Sequence, residues 1–111
     1  MAKRQPESVA VRRLQNLFAQ QGWVAYKTHG SAYQAGFPDL YCTHKLFRSR
    51  LVEVKMPWGK LTPAQRAVFP QLSNNGSPIW IIKSLWPVND DQLLARIRFV
   101  QTCPENWREF L

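Results

Sequence analysis

The sequence predicts a mixed α/β domain, and three observations support this class. Predicted helices and strands follow in the order α-β-β-β-α-β-α, which is typical of a central mixed sheet flanked by helices. Hydrophobic residues make up 45% of the chain and charged residues 20%, a composition typical of folded proteins. The length of 111 residues fits a single domain. We therefore expect one domain over residues 1–111, with its core at about 6–84 and a C-terminal helix and tail at 89–111.

The residue pattern of the N-terminal third predicts one helix and one strand. Apolar residues recur near helical spacing from Pro6 to Gln21, and proline followed by glutamate suits a first helical turn. Residues from Trp23 to His29 are rich in strand-forming types. The glycine-bounded stretch at 30–36 then predicts a loop.

Two further strands are predicted to pair as an antiparallel hairpin. The first runs from Pro38 to His44, with proline at its start, where a missing N–H donor is harmless. A short turn leads to the second strand, from Phe47 to Met56. Residues two apart in a strand point to the same face, so Glu53 and Lys55 should project together while Val54 points into a core.

The C-terminal half predicts a helix, a buried strand and another helix. The pair Thr62-Pro63 is typical of an N-cap and a first helical residue, and Asn74-Asn75-Gly76 should end that helix. The run from Pro78 to Ser84 is almost continuously apolar, as in a strand buried on both faces. Asn89 and the two aspartates after it predict the start of the last helix. The tail from Phe99 to Leu111 gives no clear pattern.

The charge of the chain favours a polyanionic partner. The net charge is +8, and the basic residues are spread along the chain, which indicates a folded basic surface that binds nucleic acid. A basic protein without such a partner is the alternative. Only seven residues are acidic. In a protein that binds nucleic acid, the phosphates repel each carboxylate, so the presence of Asp39 and Glu53 calls for a specific explanation.

Other chemistries find little support in the sequence. It has no glycine-rich phosphate loop with lysine and threonine, no HExxH or GxSxG motif and no paired-cysteine zinc spacing, so we expect no organic cofactor. Cys42 lies in an apolar strand and is predicted to be a buried free thiol. No apolar run approaches the ~20 residues of a membrane span. We therefore expect a soluble, cytoplasmic protein without membrane contact.

Three motifs in a fixed order carry a resemblance to a known family. They are Gly36-Phe37-Pro38-Asp39-Leu40, then Leu51-Val52-Glu53-Val54-Lys55, then Leu61-Thr62-Pro63-Ala64-Gln65. Over most of its length the chain resembles the PD-(D/E)XK nuclease superfamily, and within it the small stand-alone VRR-NUC domains, which are related to Holliday junction resolvases. The resemblance implies a restriction-endonuclease-like core with a central mixed β-sheet. It also implies a bacterial or phage origin.

The resemblance further implies roles for five side chains and one backbone carbonyl. Asp39 and Glu53 would ligate Mg²⁺ or Mn²⁺, with the backbone carbonyl of Val54 as a third ligand. Lys55 would either activate the attacking water or stabilise charge in the transition state, and the sequence does not decide between the two. Two more candidates would close the site from neighbouring helices: Glu7, also a candidate metal ligand, and Gln65.

Each of these residues also has a reading without catalysis. Glu7 suits the positive end of a helix dipole, Gln65 suits a solvated first helical turn, and Asp39 suits a turn after proline. Glu53 and Lys55 could form a weak ion pair on a solvated strand face. The motif order and the net charge, taken together, favour the nuclease interpretation.

Four further residues are candidate DNA contacts: Lys27, His29, Ser31 and Lys60. The glycine-serine pair after the first strand is similar to one beside the metal site of the resolvases. A structural histidine and solvated lysines are the alternatives.

The resemblance implies a Mg²⁺-dependent endodeoxyribonuclease that cuts branched DNA such as a four-way junction. Because a symmetric junction needs two cuts, we expect a homodimer, with Trp58 and the aromatic tail beyond Phe99 as candidate dimer surface. The alternatives are a nuclease for flaps, nicks or unstructured DNA, a non-catalytic basic DNA-binding module on the same fold, and an RNA substrate.

Overall fold

The structure, a computed structural model, describes residues 5–28 and 35–111, and within them the predicted order of elements is confirmed. The α-helices are α1 (Gln5–Gln20), α2 (Pro63–Asn74) and α3 (Asp90–Thr102). The strands are β1 (Val24–Lys27), β2 (Leu40–His44), β3 (Arg48–Lys55) and β4 (Ile79–Lys83). A short 3₁₀ helix at Trp107–Phe110 follows α3.

The four strands form one mixed sheet in the order β1-β2-β3-β4. β2 pairs antiparallel with β1 and with β3, which confirms the predicted hairpin, and β4 pairs parallel with β3. The paired part of β2 begins at Leu40, opposite Val52. The last three residues of β3 therefore extend past β2 while they stay paired with β4.

The sheet separates two apolar clusters. Alternation along β3 places Val52 and Val54 with the side chains of α1 and α3, and places Leu51 on the opposite face with α2. β4 is buried along its length except at Lys83, as its apolar sequence predicted. Cys42 is a buried free thiol, as predicted, and burial raises its pKa to about 12, so it is inert at neutral pH.

The C-terminal tail differs from expectation. α3 continues to Thr102, and Trp107 is 3% exposed and packs edge-on against Phe69. Asn106 donates to the carbonyl of Ile81 at 3.0 Å and accepts from its N–H at 2.7 Å. β4 is an edge strand, and these bonds satisfy part of its free edge. The expectation of an exposed aromatic tail as dimer surface is therefore wrong at Trp107.

No helix in the described part of the chain is long and apolar enough to cross a membrane.

Candidate active site

Three carboxylates converge where β2 begins and β3 ends. One oxygen from each of Glu7, Asp39 and Glu53 lies within 4.8 Å of the other two. Glu7 comes from the first turn of α1, Asp39 immediately precedes β2, and Glu53 lies on β3. Across residues 5–28 and 35–111 this is the only group of three acidic, histidine or cysteine side chains close enough to hold a metal ion. We call it the acidic cluster.

Asp39 is fixed to the part of β3 that extends past β2. Its Oδ2 accepts a hydrogen bond from the backbone N–H of Val54 at 2.8 Å. The N–H and C=O of one strand residue lie along the same edge of the strand. The Val54 carbonyl therefore also faces the Asp39 side of β3. Val54 lies beyond Val52, the last residue of β3 that pairs with β2.

Glu53 is a buried carboxylate whose charge is only partly compensated. It is 3% exposed, its Oε2 lies 3.6 Å from Lys55 Nζ, and its Oε1 accepts no hydrogen bond from the described residues. Burial, and then the Asp39 charge, raise the pKa of Glu53 to about 8, while Lys55 and Gln65 oppose the shift. A buried acceptor without a partner costs about 1–3 kcal/mol, and more when it is charged.

Asp39 has a raised pKa as well. Burial is the main cause, the hydrogen bond from Val54 opposes it, and the nearby Glu7 charge adds to it. Two neighbouring carboxyl groups with raised pKa values indicate a site that lacks positive charge. A cation bound among them would supply that charge.

Lys55 is held by Gln65. Its Nζ donates to Gln65 Oε1 at 2.8 Å, and both side chains are buried. An ammonium group has three N–H donors, so one bond to Gln65 and one contact with Glu53 leave one donor for a further acceptor. Burial contradicts two of the alternatives from the sequence, a solvated Gln65 and a solvated Glu53–Lys55 pair.

The start of α2 fixes Gln65 in turn. Thr62 is the N-cap and Pro63 the first helical residue, as predicted. The Thr62 hydroxyl accepts from the Gln65 N–H at 3.1 Å, and Gln65 Oε1 accepts from the Thr62 N–H at 3.0 Å. This capping box orients the Gln65 side chain, and its oxygen serves the helix start and Lys55 together.

Two residues that position Asp39 were not given a role from the sequence. Thr28 donates from its N–H to the Asp39 carbonyl at 2.9 Å and from its hydroxyl to the Pro38 carbonyl. Gly36 has a φ of +92°, and a Cβ there would lie 2.7 Å from the carbonyl oxygen of Ala64. Glycine thus lets the segment before Asp39 approach α2 closely. The signal in the sequence was the glycine that begins the first motif.

The four candidate DNA contacts are not brought together by what the structure describes. Lys27 lies exposed at the end of β1, and Lys60 lies exposed in the loop before α2. His29 and Ser31 fall outside the described residues. Trp58, 64% exposed, lies in the same loop as Lys60.

The fold and the site together define a class of protein. A mixed sheet with an aspartate before one strand and a glutamate-x-lysine on the next is the arrangement of the PD-(D/E)XK nucleases. The VRR-NUC domain family model matches residues 4–86, most of the chain, and the protein belongs to this family. The predicted resemblance is confirmed.

Among solved structures, the chain is similar to Hjc, a Holliday junction resolvase from the archaeal hyperthermophile Archaeoglobus fulgidus. The two are 18% identical with a TM-score of 0.52, and the match covers 68% of this chain and 65% of that chain, less than two thirds of its length. The likeness confirms the expected fold. No curated protein sequence matches the chain.

Proposed function

We propose that this protein is a divalent-metal-dependent endodeoxyribonuclease that cuts branched DNA, such as a four-way junction, as a homodimer. The observation that carries the proposal is the acidic cluster beside a buried Lys55, in a chain whose net charge is +8. Membership of the VRR-NUC family supports a nuclease. The choice of branched DNA rests on the likeness to a resolvase.

The acidic cluster fits a hard divalent cation such as Mg²⁺ or Mn²⁺. Carboxylate and carbonyl oxygens are the ligands these ions prefer, and Asp39, Glu53, Glu7 and the Val54 carbonyl offer them. The buried Glu53 Oε1, which lacks a described hydrogen-bond donor, supports a ligand at this place. A bound cation would polarise the scissile phosphate and make a bound water more acidic.

The residues of the chain have separate tasks in this proposal. Asp39 and Glu53 hold the cation, and Gln65 holds Lys55 in one orientation. Lys55 Nζ faces two acceptor oxygens, an arrangement that suits a charged donor better than a proton acceptor. We therefore assign Lys55 to stabilising negative charge on the phosphate in the transition state, rather than to removing a proton from water.

A cleavage panel tests the proposal. A four-way junction, a flap, a nicked duplex and a linear duplex of equal length are incubated with the protein in Mg²⁺, in Mn²⁺ and in EDTA. We expect the protein to cut the junction symmetrically and only when a divalent cation is present. It should cut the linear duplex more slowly. Preferred cutting of the flap or nick would replace the junction with that substrate, and binding without any cutting would support the non-catalytic alternative. An RNA junction of the same sequence tests whether the protein cuts DNA in preference to RNA.

The homodimer has its own test. Trp58 is still an exposed candidate for the dimer surface, whereas Trp107 is not. Light scattering at micromolar concentration should give twice the mass of one chain, and Trp58→Ala should lower that mass. A monomer at that concentration would contradict the dimer while leaving the nuclease proposal intact.

A further inference from the structure

A second concavity adjoins the acidic cluster at Lys55. Its volume is about 310 Å³. Leu61 and Phe110 form an apolar part of its wall. Four basic side chains also line it: Lys55, Lys60, Arg66 and Lys83. We call it the basic pocket. None of the three residues of the acidic cluster lines it.

The positive charge of the basic pocket is largely uncompensated. Lys60 and Arg66 are exposed and form no ion pair with any residue that the structure describes. Lys83 Nζ donates to the carbonyl of Pro57 at 3.3 Å, which leaves its charge in place. No acidic side chain of the described chain lines the pocket. Leu111 also lines the pocket, but none of the ion pairs of the described chain involves its carboxylate. Lys55 is paired with Glu53, whereas Lys60, Arg66 and Lys83 have no anionic partner among the described side chains.

The sheet itself sets two of these cations side by side. Lys55 and Lys83 are register partners on the parallel strands β3 and β4, and both line the pocket. Like charges at neighbouring positions of a sheet are destabilising. Leu61, which lines the pocket, lies two residues before α2, and the first turn of α2 contains no acidic residue to offset the positive end of the helix dipole.

We propose that the basic pocket binds a phosphodiester of the DNA strand that is cut, next to the phosphodiester held at the acidic cluster. This inference rests on the proposed function. Lys55 lines the pocket, and its Nζ lies 3.6 Å from Glu53 of the acidic cluster, so one strand occupies both sites. Its scissile phosphate lies by Glu53 and Lys55, and its next phosphate lies among Lys60, Arg66 and Lys83. The cut strand thus runs from the cluster toward α2.

A binding comparison tests the pocket without any need for cleavage. The double variant Lys60→Ala/Arg66→Ala removes two exposed cations of the pocket, and Arg96→Ala/Arg98→Ala removes two exposed cations of α3 as a matched control. Fluorescence anisotropy of a labelled junction is measured in Ca²⁺ across a range of salt concentrations. Thermal melting checks that both variants are folded.

The pocket variant should bind on the order of tenfold more weakly than wild type. Its slope of log K against log salt should fall by about 1, because one phosphate loses its neutralising cations. The control should stay within about twofold of wild type in affinity. Equal losses in both variants would mean that a diffuse positive field binds DNA, and unchanged binding in the pocket variant would also overturn the proposal.

A neutral backbone substitution locates the contact. A single methylphosphonate is placed at each phosphodiester that flanks the mapped cut. In wild type, a methylphosphonate at one of these positions should slow cleavage about tenfold. The Lys60→Ala/Arg66→Ala variant should show no further loss of cleavage rate from that methylphosphonate, because both changes remove the same contact. Additive losses would contradict the assignment. Dependence on a 5′-terminal phosphate instead would show that the pocket takes a strand end, and would also overturn it.

The two proposals fail in different ways. If wild type cuts no DNA in Mg²⁺ or Mn²⁺, the nuclease proposal fails, while the anisotropy comparison still decides whether the pocket binds a phosphate. If wild type cuts and the pocket variant binds and cuts like wild type, only the pocket proposal fails.

Discussion

The acidic cluster and the basic pocket meet at Lys55, but they are built in opposite ways. The carboxyl groups of Asp39 and Glu53 are buried enough to have raised pKa values, and hydrogen bonds fix their surroundings. The cations Lys60 and Arg66 are exposed and form no ion pair within the described residues. Rigid, desolvated groups suit chemistry, and exposed flexible cations suit binding of a backbone phosphate. The comparison predicts that changes on the two sides will separate catalysis from affinity.

The largest separation is expected at Asp39. Asp39→Asn keeps an oxygen for the Val54 N–H but removes a metal-ligating charge. A ligated cation stabilises the transition state by several kcal/mol, so cleavage should fall on the order of 10³-fold. Affinity for a junction in Ca²⁺ should change far less, because basic residues supply most of it. Single-turnover cleavage and anisotropy on the same sample measure both, and parallel losses of rate and affinity would refute the division.

Gln65 offers a smaller and more specific test. Gln65→Ala removes the acceptor of Lys55 Nζ, and cleavage at saturating DNA should fall on the order of tenfold. Thr62→Ala is the matched control, since it breaks the other half of the capping box and costs about 1 kcal/mol of stability. The control should cut at nearly the wild-type rate. If both variants lose the same rate, the helix start rather than the contact with Lys55 matters.

Stability without metal should depend on Glu53. The folded protein holds the Glu53 proton up to about pH 8, whereas the ordinary value in an unfolded chain is 4.5. The folded state therefore binds more protons between these values, and the Glu53 contribution to stability falls as pH rises from 4.5 to about 8. Glu53→Gln removes this dependence.

Thermal melting in EDTA measures that contribution. At pH 8, Glu53→Gln should melt more than about 10 °C above wild type, and at pH 5 the two should melt close together. Added Mg²⁺ should stabilise wild type more than the variant. A wild type that is more stable than Glu53→Gln at pH 8 in EDTA would show that the carboxylate is well compensated in the fold.

The smallest effect concerns the approach of Gly36 to α2. Gly36→Ala and Gly76→Ala both place alanine at a positive φ, but only at Gly36 would the new Cβ meet backbone within 4 Å. Both variants carry the same backbone strain of about 1 kcal/mol, which cancels in the comparison. Because only the new Cβ at Gly36 clashes with backbone, Gly36→Ala should be the more destabilising by about 1–2 kcal/mol. Urea unfolding of the two variants gives the difference. Equal free energies of unfolding would mean that the loop yields without cost.

Sequence patterns predicted the parts of the site that depend on local order. Strand alternation placed Glu53 and Lys55 on one face, and Thr62-Pro63 marked the start of α2, both as observed. The pairing of β2 and β3 brought Asp39 to the same place. Glu7 was placed beside them only through the family resemblance, and the structure brings it there.

The remaining features depend on contacts between distant segments, which leave no periodic signal. Asn106 bonds to Ile81 across 25 residues, and this long-range contact fixes the tail against β4. Thr28 reaches Asp39 from another strand. The raised pKa of Glu53 follows from burial by several elements together. The basic pocket likewise needs β4 beside β3, because Lys83 lies far from Lys55 in the chain.

The most direct test of the central claim is a titration of metal-free protein with Mn²⁺, followed by electron paramagnetic resonance of the free ion. Wild type and the pocket variant Lys60→Ala/Arg66→Ala should bind Mn²⁺ alike. Asp39→Asn and Glu53→Gln should bind at least about tenfold more weakly, since each removes a ligating charge. Equal binding of Mn²⁺ by wild type and both carboxylate variants would contradict a metal site at the acidic cluster.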